Sequence, residues 1–201
     1  MIHTILNWLF VNYLELIGTI SGLIYIYFSV KQNILLWLFG IITSLVYAFV
    51  FFSNHLYVNM FLQIYYLGVS AYGWYHWVYG AKEIGKQELP VLKASTKEWF
   101  VFLGITIVLF LLIVVIFNSL FSEKISYLDS ATSAMSIVAT WMLARKYLDQ
   151  WIIWIITNLV YVIILLKSDM YVTIILYTVY TIMAVIGYLE WKRKFHEQQA
   201  V

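Results

Sequence analysis

The chain has 201 residues, of which 64% are apolar, 19% aromatic and only 11% charged, with mean hydropathy +0.87 and formal net charge +2. A soluble domain carries roughly 25% charged residues, and a globule of this size cannot hide such an apolar excess from water, whereas lipid can. The absence of cysteine excludes a disulfide framework, a thiolate metal site and a cysteine nucleophile, and the lack of any basic stripe argues for no nucleic-acid partner.

A helix needs about 20 mostly apolar residues to cross the hydrocarbon layer. In chain order, breaks in the apolar pattern predict seven such segments, at 10–30, 34–53, 56–79, 98–121, 126–144, 150–167 and 170–190. Each must be helical, because nothing in lipid can satisfy an open backbone. The first is preceded by no basic residue, Lys31 being the earliest. It therefore lacks the positive region of a secretory signal and reads as a helix that stays in the membrane. Most breaks are short and polar, such as Lys31-Gln32-Asn33 and Arg145-Lys146. Only 80–97, with Lys82, Glu83, Lys86, Glu88, Pro90, Lys93 and Lys97, reads as a true loop.

Basic residues set the expected orientation. With seven crossings, two (Lys124 and Lys167) fall on the side of the N-terminus and the other ten on the side of the C-terminus. The positive-inside rule then places the C-terminus in the cytoplasm and the N-terminus outside.

Sliding the chain by 114 positions aligns 13–77 with 127–191 without a gap. Tyr13-Leu14-Glu15 meets Tyr127-Leu128-Asp129, and Ile41-Ile42-Thr43-Ser44-Leu45-Val46-Tyr47 meets Ile155-Ile156-Thr157-Asn158-Leu159-Val160-Tyr161. Trp37 meets Trp151, Tyr66 meets Tyr180, Gly73 meets Gly187 and Trp77 meets Trp191. Composition alone matches Leu, Ile and Val, but hardly tryptophans, tyrosines and a glycine at one offset. Three helices end opposite to where they began, so a fourth must return the chain before a parallel copy can start. The expected fold is an all-α membrane protein of seven transmembrane helices in a 3+1+3 parallel internal repeat. Its divisions are a first repeat at 10–79, a cytoplasmic loop and linker helix at 80–121, a second repeat at 126–191 and a cytoplasmic tail at 192–201. Parallel repeats of this kind are a transporter architecture, with substrate near the midplane, although pores, membrane enzymes and scaffolds can also be duplicated.

Trp151, Trp154, Asn158 and Tyr161 share one stripe of the sixth helix. An aromatic stripe is ordinarily packing or an interfacial belt. A mid-helix amide facing lipid is costly, however, so Asn158 should face protein or a cavity. In the first repeat Gly40 stands opposite Trp154 and Ser44 opposite Asn158, an asymmetry that would leave a slot beside two indoles. Asn59, Gln63 and Tyr66 share a face of the third helix, matched by Thr173, Tyr177 and Tyr180 on the seventh. Hydroxyls, amides and flat aromatic faces without charge suit a ring bearing a sugar or an amide. A cationic ring would gain roughly 0.5–2 kcal/mol from an indole face. The candidate substrate-binding residues are Trp151, Trp154, Asn158, Gln63, Asn59, Trp37, Tyr66, Tyr177 and Thr173.

Glu15 and Asp129 occupy one repeat position at the outer ends of their helices, as surface carboxylates or as a pair attracting a cation. No mid-membrane relay of Asp, Glu or His is present, which favours uncoupled movement. The four histidines are scattered, no P-loop occurs and no Ser/His/Asp arrangement is supported. Neither enzyme activity nor a cofactor is expected.

Trp151-x-x-Trp154-x-x-x-Asn158, Leu56-Tyr57 with Leu62-Gln63, Tyr72-Gly73-Trp74 and Ala184-Val185-Ile186-Gly187 resemble the PnuC family of bacterial vitamin transporters. The likeness covers nearly the whole chain. It implies a fold related to the SWEET sugar transporters, a homotrimer in the bacterial inner membrane, and facilitated diffusion of a B-vitamin precursor trapped by a cytosolic kinase. Nicotinamide riboside is the best-known cargo. By position, Trp151, Trp154 and Asn158 would hold the ring, while Asn59 and Gln63 would reach the ribose hydroxyls. Asn59 stands where many relatives have an acid, Leu38 where a proline often follows the tryptophan, and the chain is as compact as thiamine-carrying relatives. Thiamine is therefore the alternative cargo.

Overall fold

A computed structural model of the chain describes residues 13–55, 57–83, 85, 88–120, 126–166 and 171–200. Seven α-helices follow one another there: α1 (Tyr13–Val30), α2 (Leu35–Ser53), α3 (Tyr57–Glu83), α4 (Thr96–Leu120), α5 (Tyr127–Ala144), α6 (Gln150–Leu166) and α7 (Tyr171–Gln199). The expected start of the first span at residue 10 lies outside the described residues, as do Leu56, Lys86, Lys124 and Lys167. The side chain of Glu15 is likewise outside them.

Among the described residues, three helical stretches are by themselves long and apolar enough to cross a bilayer: Leu35–Ser53, Thr96–Ile116 and Ile174–Gln199. On α4, Phe100, Leu103, Ile107, Leu111 and Val115 are all exposed. A water-facing helix shows the reverse pattern, polar outside and apolar inside. These residues build an α-helical membrane protein.

Helix ends follow local chemistry. Ser95 and Glu98 form a capping box on α4, the Ser95 backbone N–H donating to Glu98 Oε2 (2.7 Å) and the Glu98 N–H to Ser95 Oγ (3.4 Å). Ser126 Oγ accepts from the Asp129 N–H and caps α5. The C-terminal ends of α1 and α5 are the same structure twice. After α1, the Gln32 N–H donates to the Ser29 carbonyl and the Asn33 N–H to Phe28; after α5, the Lys146 N–H donates to Leu143 and the Tyr147 N–H to Met142. This is the Schellman pattern, which needs a left-handed residue. Gln32 (φ 53°) and Lys146 (φ 63°) supply it at positions 114 apart, although neither is glycine.

The chain divides between Leu89 and Pro90 into two compact units. In the first, α2 packs against both α1 and α3. In the second, α6 packs against α5 and α7, and α4 packs against α5. The second unit has its core at Ala94, Phe102, Val138, Ala139, Met142 and Ile153, with Trp99, Met135 and Trp154 packed on it. Along α5, Ser136 and Thr140 donate to the carbonyls of Thr132 and Ser136 (2.8 Å each). Their hydroxyls are thereby satisfied within the helix, and small side chains allow close helix approach.

Two stretches are more ordered than their polarity suggests. The helix α3 continues to Glu83, and α7 runs through the basic segment to Gln199, with Arg193 bridging Glu190 at 2.8 Å. The end of the 80–97 loop is a strap on the second unit. Leu92 exchanges backbone hydrogen bonds with Lys146 and Leu148 (2.9 and 2.8 Å), and the Ala94 N–H donates to the buried Asp149 carboxylate at 2.6 Å. Tyr147 donates its phenol to Glu98 (2.5 Å) beside this strap.

Candidate functional site

The first tryptophan of each repeat is set deep in its own unit. Trp37 is fully buried and meets Trp77 edge to face, with centroids 5.4 Å apart and planes at 89°. Trp151 is 4% exposed and meets Trp191 in the same way, at 5.9 Å and 83°. Each indole lies flat on a glycine, since a methyl group on Gly73 or Gly187 would come within 3.0 Å of Trp37 or Trp151. A Trp–Gly–Trp lock thus joins second to third helix in both repeats, which explains why these residues recur at one offset.

The second tryptophan, Trp154, has no such twin. It is half-buried against the cluster containing Ala139, Met142 and Ile153. Its counterpart in the first repeat is Gly40. The space over Gly40 is filled within the first unit, because a methyl group there would meet Ser70 Oγ at 2.8 Å and the Tyr25 ring at 3.1 Å. The repeat alignment explains the difference between the two copies. Tyr25 corresponds to Ala139, and Gly40 to Trp154, so the large aromatic side chain has moved from the first helix of one repeat to the second helix of the other.

Asn158 is buried at 6% exposure on α6, and its counterpart Ser44 is buried on α2. Tyr177 of α7 stacks on Tyr161 of α6, with centroids 4.7 Å apart and planes at 30°, and meets Tyr180 edge-on at 5.9 Å. The structure thus brings Tyr161 to Tyr177 through the α6–α7 packing. Thr173 lies on α7, but its side chain falls outside the described residues. In the first unit Asn59 is exposed on α3, with Gln63 and Tyr66 half-buried farther along it.

Two polar residues escaped the sequence reading. Gln150 is fully buried with neither amide atom hydrogen-bonded, and Thr157 is 1% exposed with its hydroxyl unpaired. Gln150 opens the sixth predicted span without being singled out, and Thr157 enters only as the repeat counterpart of Thr43. Only the packing shows that Thr43 donates to Ser21 Oγ at 2.8 Å, whereas Thr157 has lost that partner, Met135 standing where Ser21 does. From Gln150 to Leu166, α6 carries no basic or acidic residue. It presents indole, amide and hydroxyl groups alone.

Comparison with known proteins fits this architecture. The nicotinamide riboside transporter PnuC of Escherichia coli K12 is 25% identical over 93% of this chain and 88% of its own length. The protein of the same name from Neisseria mucosa is 26% identical over 90% of this chain and 73% of its own. A solved structure, the crystal structure of the vitamin B3 transporter PnuC, shares the fold with a TM-score of 0.74 at 22% identity, covering 92% of this chain and 83% of that one. The family model described as nicotinamide mononucleotide transporter matches residues 12–193. With nine-tenths of its length matched, this chain belongs to that family of membrane transporters, the PnuC family, and not to a family of enzymes.

Proposed function

We propose that this protein carries nicotinamide riboside into the bacterial cell by facilitated diffusion across the inner membrane. The observation that carries the reading is the face of α6. It combines a half-buried indole at Trp154 with the buried neutral amide of Asn158, on a helix free of charged residues. An indole face attracts a cationic ring, and an amide both donates and accepts toward hydroxyls. A mononucleotide would bring a phosphate, which calls for Arg or Lys partners, and α6 supplies none. The uncharged α6 therefore favours the riboside, the cargo named for the relatives, over its phosphorylated form.

Trp154 and Asn158 are assigned to the cargo directly, as are Tyr177 and Thr173 of α7. Trp151 and Trp37 are assigned to holding α6 and α2 in register through their glycine locks. In the first unit, Asn59, Gln63 and Tyr66 keep the hydroxyl-binding role that the family likeness implies. The ten-to-two distribution of basic residues supports a cytoplasmic C-terminus and an outer N-terminus. A kinase that phosphorylates the riboside inside the cell would trap it, since a phosphate finds no partner on α6. The family likeness further implies a homotrimer.

Calorimetric titration of the purified protein with nicotinamide riboside, thiamine and riboflavin tests the cargo. The riboside should bind, and binding of thiamine instead would replace it with the other cationic aromatic that suits an indole face. Uptake into liposomes should be unaffected by collapsing proton and sodium gradients; loss of uptake on collapse would show coupling and end the facilitated-diffusion reading.

A further inference from the structure

Among the described residues, the buried polar side-chain atoms without a hydrogen-bond partner belong to Gln32, Trp37, Gln150, Trp151 and Thr157. Trp37 and Trp151 are repeat counterparts with the same unpaired indole N–H, so that feature belongs to the shared lock. Gln32 sits in the turn after α1. Gln150 and Thr157 remain, both on α6 and neither matched by an unpaired group in the first repeat. The counterpart of Gln150 is Leu36, which is equally buried, and the counterpart of Thr157 is Thr43, which is paired.

Positions 150, 154, 157 and 161 follow the i, i+4, i+7, i+11 spacing of one helix face. Read from the helix N-terminus, that face presents a free primary amide, an indole and a free hydroxyl, with Asn158 at its flank. Nicotinamide riboside presents a primary carboxamide, a cationic ring and a hydroxyl-bearing ribose, in that order. We propose that Gln150 is a specificity-determining residue that pairs with the cargo's carboxamide, while Trp154 stacks on the ring and Thr157 meets a ribose hydroxyl. The proposal rests on the cargo reading above and orients the cargo with its carboxamide toward the N-terminal end of α6.

The chemistry is complementary. Gln150 has a free donor at Nε2 and a free acceptor at Oε1, and a primary carboxamide offers the reverse pair, giving two antiparallel N–H···O bonds. A carboxylate at the same ring position offers acceptors only and sets one of them against Oε1. Leaving a closed-off amide unpaired is costly, and a site built to hydrogen-bond one group rejects the analogue that lacks it. Gln150 should therefore discriminate nicotinamide riboside from nicotinic acid riboside.

Titration of the full-length protein with both ribosides, in wild type, Gln150→Leu and Gln150→Glu, tests this. Leucine is the residue at the matched buried position of the first repeat, and glutamate keeps the shape of glutamine. Wild type should prefer the amide by about tenfold or more. Gln150→Leu should weaken amide binding by about tenfold and bring the two affinities within about threefold of each other. Gln150→Glu should weaken it at least as much. The ratio of affinities does not depend on the fraction of folded protein, so a partly destabilised variant still reports. An unchanged ratio in both variants would overturn the proposal and leave the cargo reading standing. Failure of wild type to bind nicotinamide riboside at all would overturn both, and so separates the two failures.

Discussion

Helices α2 and α6 hold the same place in the two repeats, yet their polar and small residues meet opposite fates. On α2, Thr43 is paired to Ser21 and the space over Gly40 is filled by Tyr25 and Ser70. On α6, Thr157 and Gln150 are buried and unpaired, and Trp154 projects from the position that Gly40 occupies in the first repeat. The outer ends differ similarly. Tyr47 lies over Gly18 and bonds Thr19 at 3.2 Å, whereas Tyr161, with Thr132 in place of Gly18, stacks on Tyr177. Meanwhile the Schellman turns and the Trp–Gly–Trp locks are the same in both. Duplication has kept the frame, while the threonine hydroxyl paired on the second helix of one copy is unpaired in the other.

The largest effects should come from breaking what the repeats share. Gly73→Ala and Gly187→Ala each drive a methyl into an indole, and overpacking of this kind costs about 1–3 kcal/mol or more. Both variants should lose thermal stability by similar amounts in detergent; a loss confined to one would show that the locks are not equivalent. Next comes the feature the repeats do not share. Trp154→Ala should weaken riboside binding by tenfold or more, in line with about 2 kcal/mol for a desolvated cation–π contact, while the protein stays folded. Retained affinity would return that indole to packing alone.

A finer test exchanges one methyl for one hydroxyl in each copy. Thr43→Val leaves Ser21 without its donor and should destabilise by about 1 kcal/mol without changing affinity. Thr157→Val removes an unpaired buried hydroxyl, so stability should hold or rise slightly while affinity falls. The same shift in both variants would contradict the division of labour between the repeats.

The smallest effect concerns the strap on the second unit. Burial first, then the hydrogen bond to Glu98, pushes the Tyr147 phenol from 10.0 up to about 12. A raised folded value favours the neutral phenol, so its contribution is complete below pH 10 and fades as pH rises through about 12. Wild type should lose slightly more thermal stability across that window than Tyr147→Phe, measured as the difference between their melting curves.

Much of this molecule was legible as sequence. Apolar length fixes helices because lipid satisfies no open backbone, and a constant offset of Trp, Gly and Tyr betrays duplication because a lock needs all its parts together. Helix ends were less legible. Local polarity suggested stops near 79 and 190, but α3 and α7 run on to Glu83 and Gln199 because a helix leaving the bilayer can continue in water. The site was legible in part, since the W-x-x-W-x-x-x-N spacing marks a face but does not say which member packs and which is left free.

The sequence by itself determined that this is a duplicated α-helical membrane protein, because hydropathy and repeat spacing act along the chain; transport came from the family resemblance of its motifs. Only the tertiary structure decided that Trp151 packs on Gly187, that Tyr25 and Ser70 lie over Gly40, and that Gln150 and Thr157 are unpaired. Hydrogen-bond satisfaction depends on what a neighbouring helix brings to the same depth. No pattern within a single helix records that.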